Sequence, residues 1–191
     1  VIVTGYPVRQ DVLEVNRDEA RSRLGLDPGR YVLLVLGGSS GAHSINEAVS
    51  RHLPELLSLA QVVHVSGPGD LEELSRRTAQ LSEQQRSDYH LYGYLHGEMA
   101  DALAAADLVV ARAGASTLAE FPAASLAAIL VPYPHSGPNQ GVNAAFLKDR
   151  GGAIVLPDAE LDTLLVAEVR SLLSDQERLA TMSVAMRAIA V

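Results

Sequence analysis

Two segments of this chain place small and polar residues directly after apolar runs. Leu108 to Val110 is apolar and leads into residues 112–117, Arg-Ala-Gly-Ala-Ser-Thr, with Glu120 shortly after them. Ala128 to Val131 is the second apolar run, and three amides follow it: Asn139, Gln140 and Asn143. Backbone N–H groups bind phosphates, a carboxylate accepts hydrogen bonds from ribose hydroxyls, and amides bind sugar hydroxyls. Together these groups suit a nucleotide-activated sugar.

A third segment, residues 37–42, has the sequence Gly-Gly-Ser-Ser-Gly-Ala and lies between an apolar run and a predicted helix. Without Cβ atoms its backbone can approach a phosphate, and a helix N-terminus favours negative charge. The segment matches neither the Walker A pattern nor GxGxxG. Two interpretations stay open: a phosphate-binding turn, or a tight strand–helix turn with a serine N-cap.

Each polar residue also has an ordinary structural explanation. A glutamate in a first helical turn, such as Glu120, stabilises its helix by roughly a few tenths of a kcal/mol. The three amides can be loop and N-cap residues, and Arg9 can face solvent instead of pairing with a phosphate or stacking on a base. Taken singly, these explanations are the commoner ones. The grouping at predicted strand ends is what favours a ligand.

Several kinds of chemistry are not supported. The chain has no cysteine, no HExxH and no histidine pair at metal-ligand spacing, so we expect no metal and no cofactor. GxSxG is absent, which removes the usual hydrolase nucleophile elbow. His64, within Val-Val-His-Val-Ser, is typical of a buried sheet histidine with a satisfied partner.

Composition sets further limits. The 191 residues carry a net charge of −8, which argues against nucleic-acid binding, and 48% of them are hydrophobic. No apolar run approaches about 20 residues, so no membrane-spanning helix is expected. The first residues lack an initiator Met and a signal-peptide pattern, which suggests a fragment of a longer, cytoplasmic protein.

Short apolar runs alternate with longer amphipathic stretches along the whole chain. The pattern predicts strands at 31–36, 61–66, 90–94, 108–110, 128–131 and 153–156. It predicts helices at 17–24, 42–59, 70–87, 98–106, around Glu120, and at 140–150, 159–173 and 175–190. Continuous apolar strands and repeated β-then-α units predict an α/β fold with a doubly wound parallel sheet (Rossmann-like). We expect one domain over 1–191, with its ligand at the carboxyl ends of the strands. Segment 9–29 is the most linker-like.

Taken in order, these segments resemble the C-terminal half of the MurG family of glycosyltransferases (family 28). The resemblance covers nearly the whole chain, to about Asp158. The blocks that carry it are 3–9, 36–42 with Asn46, 63–67, 93–95 with Met99, 106–115, 117–120, and 131–134 with Gln140, Asn143 and Ala144.

The resemblance implies one half of a two-domain GT-B fold, in which this half binds the UDP-sugar donor without a metal. It implies that Gly38, Ser39 and Ser40 lie at the diphosphate and that Glu120 holds the ribose. Backbone at Leu95 would meet the uracil, with Met99 and Arg9 nearby. The sugar side would be formed by Ala115, Ser116, Asn139, Gln140 and Asn143.

The family activity implied is transfer of N-acetylglucosamine from UDP-N-acetylglucosamine to a lipid-linked acceptor, which converts lipid I to lipid II in peptidoglycan synthesis. The acceptor domain, the candidate catalytic histidine and the membrane-docking patch belong to the other half. We therefore expect this chain alone to bind donor without turnover, and the whole enzyme to sit at the inner face of the cell membrane.

Some positions depart from the family pattern. Tyr6 replaces Asn, Ser40 replaces Gln, Asn139 replaces His or Gln, and Ser125-Leu126-Ala127 replaces Gly-x-Pro. They leave open a glycolipid synthase that uses UDP-glucose or UDP-galactose, or a non-catalytic module that has lost the donor site. A GT-B epimerase would need carboxylates and histidines that this chain does not show.

Overall fold

The computed structural model describes residues 7–8, 10–37, 42–136 and 138–190. Its strands are β1 Val32–Leu36, β2 Gln61–Val65, β3 Tyr89–Tyr92, β4 Leu108–Ala111, β5 Ala127–Leu130 and β6 Ala153–Val155. They form one six-stranded sheet in the order β3-β2-β1-β4-β5-β6. Every neighbouring pair is parallel. The predicted doubly wound parallel sheet is confirmed.

Helices connect the strands and cover both faces of the sheet. They are α1 Gln10–Glu14, α2 Arg17–Arg23, α3 His43–Arg51, α4 Leu53–Leu59, α5 Leu71–Thr78, α6 Glu83–Ser87, α7 Met99–Ala105, α8 Thr117–Ala123, α9 Pro138–Asp149, α10 Leu161–Ser174 and α11 Gln176–Ile189. A 3-10 turn at Asp158–Glu160 precedes α10. Within the described residues, no helix is both long and apolar enough to cross a bilayer.

The central strand β1 shows why the apolar runs do not alternate with polar residues. Leu33 and Val35 pack into a core with α3, α4 and α10. Val32 and Leu34 face the other way, into a core with α2, α7, α8 and α9. All four side chains are fully buried. A strand covered on both faces needs apolar residues at every position.

Two helices predicted as continuous are each divided, so those two predictions are wrong. Segment 42–59 breaks at His52, because Pro54 has no N–H and cannot continue the helical hydrogen-bond ladder. Segment 70–87 breaks before Ser82, which caps α6. Its Oγ accepts from the Gln85 N–H at 3.2 Å, and Gln85 Oε1 accepts from the Ser82 N–H at 3.0 Å.

The segment predicted to be linker-like is firmly docked. Arg21 on α2 is 5% exposed. Its guanidinium donates to the Asp107 carboxylate at 2.8 Å and to the Ala105 carbonyl at 3.1 Å. Asp107 also accepts from the Val32 N–H at 2.8 Å. These bonds attach α2 to the amino ends of β1 and β4.

Candidate functional site

The sheet order creates a crevice between β1 and β4. The chain builds outward from β1 to β2 and β3, then returns to place β4 on the other side of β1. The connections that leave β1 and β4 therefore diverge at the carboxyl edge. Ligands of open α/β sheets bind at such switch points. Residues 37–42 form the first connection, after β1, and residues 112–116 form the second connection, after β4. Both segments were singled out from the sequence.

Gly37 fixes where the first connection begins and ends. Its N–H donates to the Val65 carbonyl at 2.8 Å. A Cβ at this position would lie 2.9 Å from the Ser66 carbonyl oxygen and 3.2 Å from the Ala42 nitrogen, so no side chain fits. Gly37 and Ala42, the described ends of this connection, therefore lie close together against the end of β2. Arg9, Gly38, Ser39 and Ser40 lie outside the described residues, and their roles stay predictions.

The second connection offers backbone donors. Ala115 and Ser116 are exposed. The N–H groups of residues 114–117 donate to no other described residue, so they remain available to a ligand. Thr117 Oγ1 donates to the Gly114 carbonyl, and Asn143 Nδ2 donates to the Ala113 carbonyl at 3.0 Å. These bonds hold the turn in shape through its carbonyls and leave its N–H groups open.

Glu120 lies in the first turn of α8, beside that turn. Its own N–H donates to the Ser116 carbonyl at 2.9 Å. The side chain is half-buried, and no described residue donates a hydrogen bond to its carboxylate. A partly shielded carboxylate with open acceptor positions matches a vicinal diol.

The three amides of α9 have different surroundings. Asn139 is exposed. Gln140 Oε1 accepts from the Tyr133 N–H at 2.9 Å. Asn143 Nδ2 donates to the Ala113 carbonyl, which follows β4. Gln140 and Asn143 thereby join the ends of β4 and β5 to α9, in addition to any contact with a ligand. The helix begins at Pro138, two residues earlier than predicted.

Leu95 and Met99 follow β3. The Leu95 side chain is 4% exposed and belongs to the core under α7. Only its backbone is free to meet a ligand, which is the kind of contact the resemblance implies. Met99 is the first residue of α7 and is half-buried against the same core.

A buried network of hydrogen-bonded side chains, which the sequence did not reveal, lies beside the carboxyl ends of β1 and β2. Asn46 on α3 is 1% exposed. Its Nδ2 donates to the Ser66 carbonyl at 2.8 Å and to Asp70 Oδ2 at 2.7 Å. Its Oδ1 lies 2.9 Å from His64 Nε2, and His64 Nδ1 lies 2.8 Å from the Tyr89 hydroxyl. The prediction that His64 is a buried histidine with a satisfied partner is confirmed.

The side chains of this buried hydrogen-bond network each keep one protonation state at neutral pH. Burial lowers the pKa of His64 to about 4 and raises the pKa of Tyr89. Burial alone would raise the pKa of Asp70, but the hydrogen bonds from Asn46 and His43 outweigh it, so that pKa is lowered. At neutral pH, His64 is therefore neutral and Asp70 is ionised.

A second polar cluster ties the connections of β4, β5 and β6 to α3. Arg112 forms an ion pair with Asp158 and donates to the Ser44 hydroxyl at 2.7 Å and to the Val131 carbonyl at 3.2 Å. Ser44 donates to Asp158 at 2.7 Å. The guanidinium also lies over the Tyr133 ring, 5.2 Å from its centroid. Arg112 was noted in the sequence only as part of a motif, and no local pattern there points to Asp158 as its partner.

Other possible ligand sites in the described residues are less suited to a nucleotide. A cavity of about 500 Å³ lies at the amino edge of the sheet, opposite the crevice, lined mainly by aliphatic residues such as Val12, Ala124 and Leu179. No group of three His, Asp or Glu residues in the described ranges could hold a metal ion. The carboxyl edge carries the polar groups suited to a nucleotide.

Comparisons with known proteins identify the family to which the chain belongs. A family model described as "Glycosyltransferase family 28 C-terminal domain" matches residues 32–190. A relative from Roseiflexus sp. (strain RS-1) is 43% identical over 176 residues, covering 84% of this chain and 40% of the relative. Its name is UDP-N-acetylglucosamine--N-acetylmuramyl-(pentapeptide) pyrophosphoryl-undecaprenol N-acetylglucosamine transferase. A protein of the same name from Desulforudis audaxviator is 37% identical over 198 residues, with 99% and 52% covered.

The fold is shared with a solved structure as well. The crystal structure of MurG from Acinetobacter baumannii superposes with a TM-score of 0.74 at 26% identity, covering 97% of this chain and 53% of that one. The chain spans about half the length of the relatives it matches. Its parallel sheet is one half of a GT-B fold, and the chain belongs to glycosyltransferase family 28, whose C-terminal domain it matches.

Proposed function

We propose that this chain is the donor-binding domain of an inverting glycosyltransferase that moves N-acetylglucosamine from UDP-N-acetylglucosamine to a lipid-linked acceptor. One observation carries the proposal. At the switch point, the open N–H groups of residues 114–117 and the open carboxylate of Glu120 lie on one turn and the helix that follows it. This pairs donors for a diphosphate with an acceptor for a ribose.

The chemistry follows from that arrangement. The acceptor hydroxyl attacks C1 of the sugar as the bond from C1 to the diphosphate oxygen breaks, and its electron pair leaves with UDP. Backbone N–H groups stabilise the charge that develops on the leaving diphosphate. The proton of the acceptor hydroxyl passes to a base outside this chain, so the chain alone binds donor and does not turn over.

The names of the relatives specify a pyrophosphoryl-undecaprenol acceptor. We extend that acceptor to the whole enzyme of which this chain is the donor half, which makes the reaction the step from lipid I to lipid II. Because such an acceptor is anchored in a bilayer, the whole enzyme acts at the inner membrane surface as a peripheral protein.

One departure from the family pattern has no bearing on the donor site. Ser125, Leu126 and Ala127 lie at the amino end of β5, at the opposite edge of the sheet from the crevice. That substitution therefore gives no support to a module that has lost its donor site. Asn139 stays relevant to sugar choice because it lies on α9, beside the crevice.

Calorimetry with the folded domain tests the proposal. We expect binding of UDP and of UDP-N-acetylglucosamine, with ADP much weaker. Absence of UDP binding at millimolar concentration, with the circular dichroism of a folded α/β protein, contradicts it. Tighter binding of UDP-glucose than of UDP-N-acetylglucosamine favours the glycolipid synthase instead.

A further inference from the structure

We propose that the aromatic ring of Tyr133 stacks against the hexose of the donor and contributes to its selection. The inference rests on the proposed function and adds to the sugar side of that site a residue for which the sequence indicated no role. Tyr133 lies after β5, at the carboxyl edge of the sheet. It is 45% exposed, although several contacts hold it in place.

Arg112 supports one face of the Tyr133 ring. The guanidinium carbon lies 5.2 Å from the ring centroid, which is a cation–π contact. Arg112 is itself only 13% exposed, because it is paired with Asp158 and donates to the Ser44 hydroxyl at 2.7 Å. Since Arg112 follows β4 and Ser44 belongs to α3, the two walls of the crevice meet on this guanidinium. The ring above it therefore lies beside the crevice.

The remaining contacts fix the Tyr133 backbone and one edge of the ring. Its N–H donates to Gln140 Oε1 at 2.9 Å. Its carbonyl accepts from the Ser136 N–H at 3.1 Å and from the Ser136 hydroxyl at 2.7 Å. His135 contacts the ring edge, with the two centroids 5.5 Å apart and the planes at 78°. A residue held in this way loses little conformational freedom when it binds a ligand.

The exposed part of the ring suits one face of a hexose. An aromatic ring offers flat apolar surface, and covering that surface with a ligand is favourable. A pyranose carries C–H groups on its faces and hydroxyl groups around its rim. A flat apolar surface therefore contacts a face, while hydrogen-bonding side chains contact the rim. The amides of α9, predicted to bind sugar hydroxyls, are polar groups of the second kind.

The neighbours of Tyr133 place it close to the turn proposed for the diphosphate. Asn143 donates to the Ala113 carbonyl at 3.0 Å, and Ala113 directly precedes the open N–H groups of residues 114–117. Gln140, one turn earlier on α9, accepts from the Tyr133 N–H. A single turn of α9 thus connects the diphosphate turn with Tyr133. The hexose of a UDP-sugar is bonded directly to its diphosphate, so it occupies the space next to that turn.

The chain provides a matched control after β3. Tyr94 and His96 have the same spacing as Tyr133 and His135, and their ring centroids lie 4.8 Å apart. Tyr94 is also exposed. However, β3 is four positions from β5 in the sheet, a distance of roughly 19 Å. Tyr94 therefore tests the loss of an exposed tyrosine beside a histidine, away from the proposed hexose.

The test is a calorimetric titration of the folded 191-residue chain with UDP and with UDP-N-acetylglucosamine. The readout is the ratio of the two affinities. For Tyr133→Ser we expect unchanged UDP binding and roughly fivefold weaker binding of UDP-N-acetylglucosamine, as for the loss of one aromatic stacking contact. Tyr133→Phe keeps the ring and should retain the wild-type ratio. Tyr94→Ser should retain that ratio as well.

Four results overturn the inference. An unchanged ratio in Tyr133→Ser, with UDP bound as in the wild type, removes the ring from the hexose and leaves the proposed function standing. Equal losses for both ligands show that the substitution disturbs the crevice instead of a sugar contact. A fall in Tyr133→Phe as large as that in Tyr133→Ser assigns the effect to the hydroxyl and not to stacking. A folded wild type that binds neither ligand refutes the donor site itself, and the role of Tyr133 with it.

Discussion

His64 Nε2 lies 2.9 Å from Asn46 Oδ1, and this contact sets the direction of the hydrogen bonds from β3 to α3. Asn46 donates through Nδ2 to two oxygens, so its Oδ1 must accept, and His64 Nε2 must carry the hydrogen. His64 Nδ1 then accepts from the Tyr89 hydroxyl. Every polar group in this hydrogen-bond network has partners of the required kind, which makes the arrangement specific.

Asn46→Leu should lower the free energy of unfolding by about 2–4 kcal/mol, because it leaves the Ser66 carbonyl, Asp70 and His64 Nε2 without their partner. Urea denaturation measures the loss. Ser58→Ala, at an exposed position of α4, serves as the control and should change little. A loss for Asn46→Leu no larger than the control's would show that water replaces the amide readily.

Stability should fall in mild acid because of His64. Its pKa is about 4 in the folded chain and about 6.5 in the unfolded chain, so the unfolded chain binds more protons between these values. Titration of His64 therefore leaves the free energy of unfolding unchanged above about pH 6.5. It lowers the free energy of unfolding as the pH falls towards 4, by at most roughly 3 kcal/mol.

Urea denaturation at several pH values compares the wild type with His64→Gln. The variant should be less stable at neutral pH but should show a shallower decline in acid. Burial also lowers the pKa of His90, which contributes to the decline in both proteins. Parallel declines in the two proteins would mean that His64 does not titrate in this range.

The sequence was sufficient for the sheet and for the set of residues that follow the carboxyl ends of its strands. Continuous apolar runs such as 31–36 are possible only in strands covered on both faces, and parallel strands bring all their carboxyl ends to one edge. Glu120 and the 112–117 turn could therefore be placed together without coordinates. The breaks at His52 and before Ser82 were missed because their signals, Pro54 and the Ser82–Gln85 capping box, were outweighed by helical periodicity.

Polar partners far apart in the chain were not predictable. Tyr89 meets His64 because the register pairs Val62 with Tyr89 and His64 with Leu91, which puts both side chains on one face. Register between distant strands leaves no local pattern. One clue existed for Asn46, since it lies next to the buried face of a helix that carries Ile45 and Val49. A polar residue there calls for a partner in the adjacent strand.

Asp158→Ala should lower the free energy of unfolding by about 2 kcal/mol, between the values for exposed and for buried ion pairs. The substitution leaves the Arg112 guanidinium, 13% exposed, without its carboxylate and removes an acceptor from Ser44. Chemical denaturation measures the change. Asp162→Ala breaks the exposed pair with Arg51, where both side chains are about half exposed, and should matter far less. Equal effects for the two variants would contradict a structural role for the Arg112 cluster.

Ser125→Gly should raise the free energy of unfolding by about 0.5–1 kcal/mol. Ser125 has φ of 54°, a left-handed conformation that costs a residue with a Cβ about 1–2 kcal/mol and costs glycine little, and the greater freedom of unfolded glycine offsets part of the gain. Thermal and urea unfolding both report it. Ala180→Gly, at an exposed position inside α11, is the contrasting variant and should be destabilising by about 1 kcal/mol. A loss of stability in Ser125→Gly would argue against strain at this turn.

The central claim, that Glu120 holds the ribose of a UDP-sugar, is tested most directly by a thermodynamic cycle. Calorimetry would compare UDP with 2′-deoxy-UDP on the wild type and on Glu120→Ala. On the wild type we predict that UDP binds more tightly than its deoxy analogue, and that Glu120→Ala weakens UDP binding by about 1–3 kcal/mol. The preference for the 2′-hydroxyl should then largely disappear. An unchanged UDP affinity, or the same preference for UDP in both proteins, would contradict the account and remove Glu120 from the site.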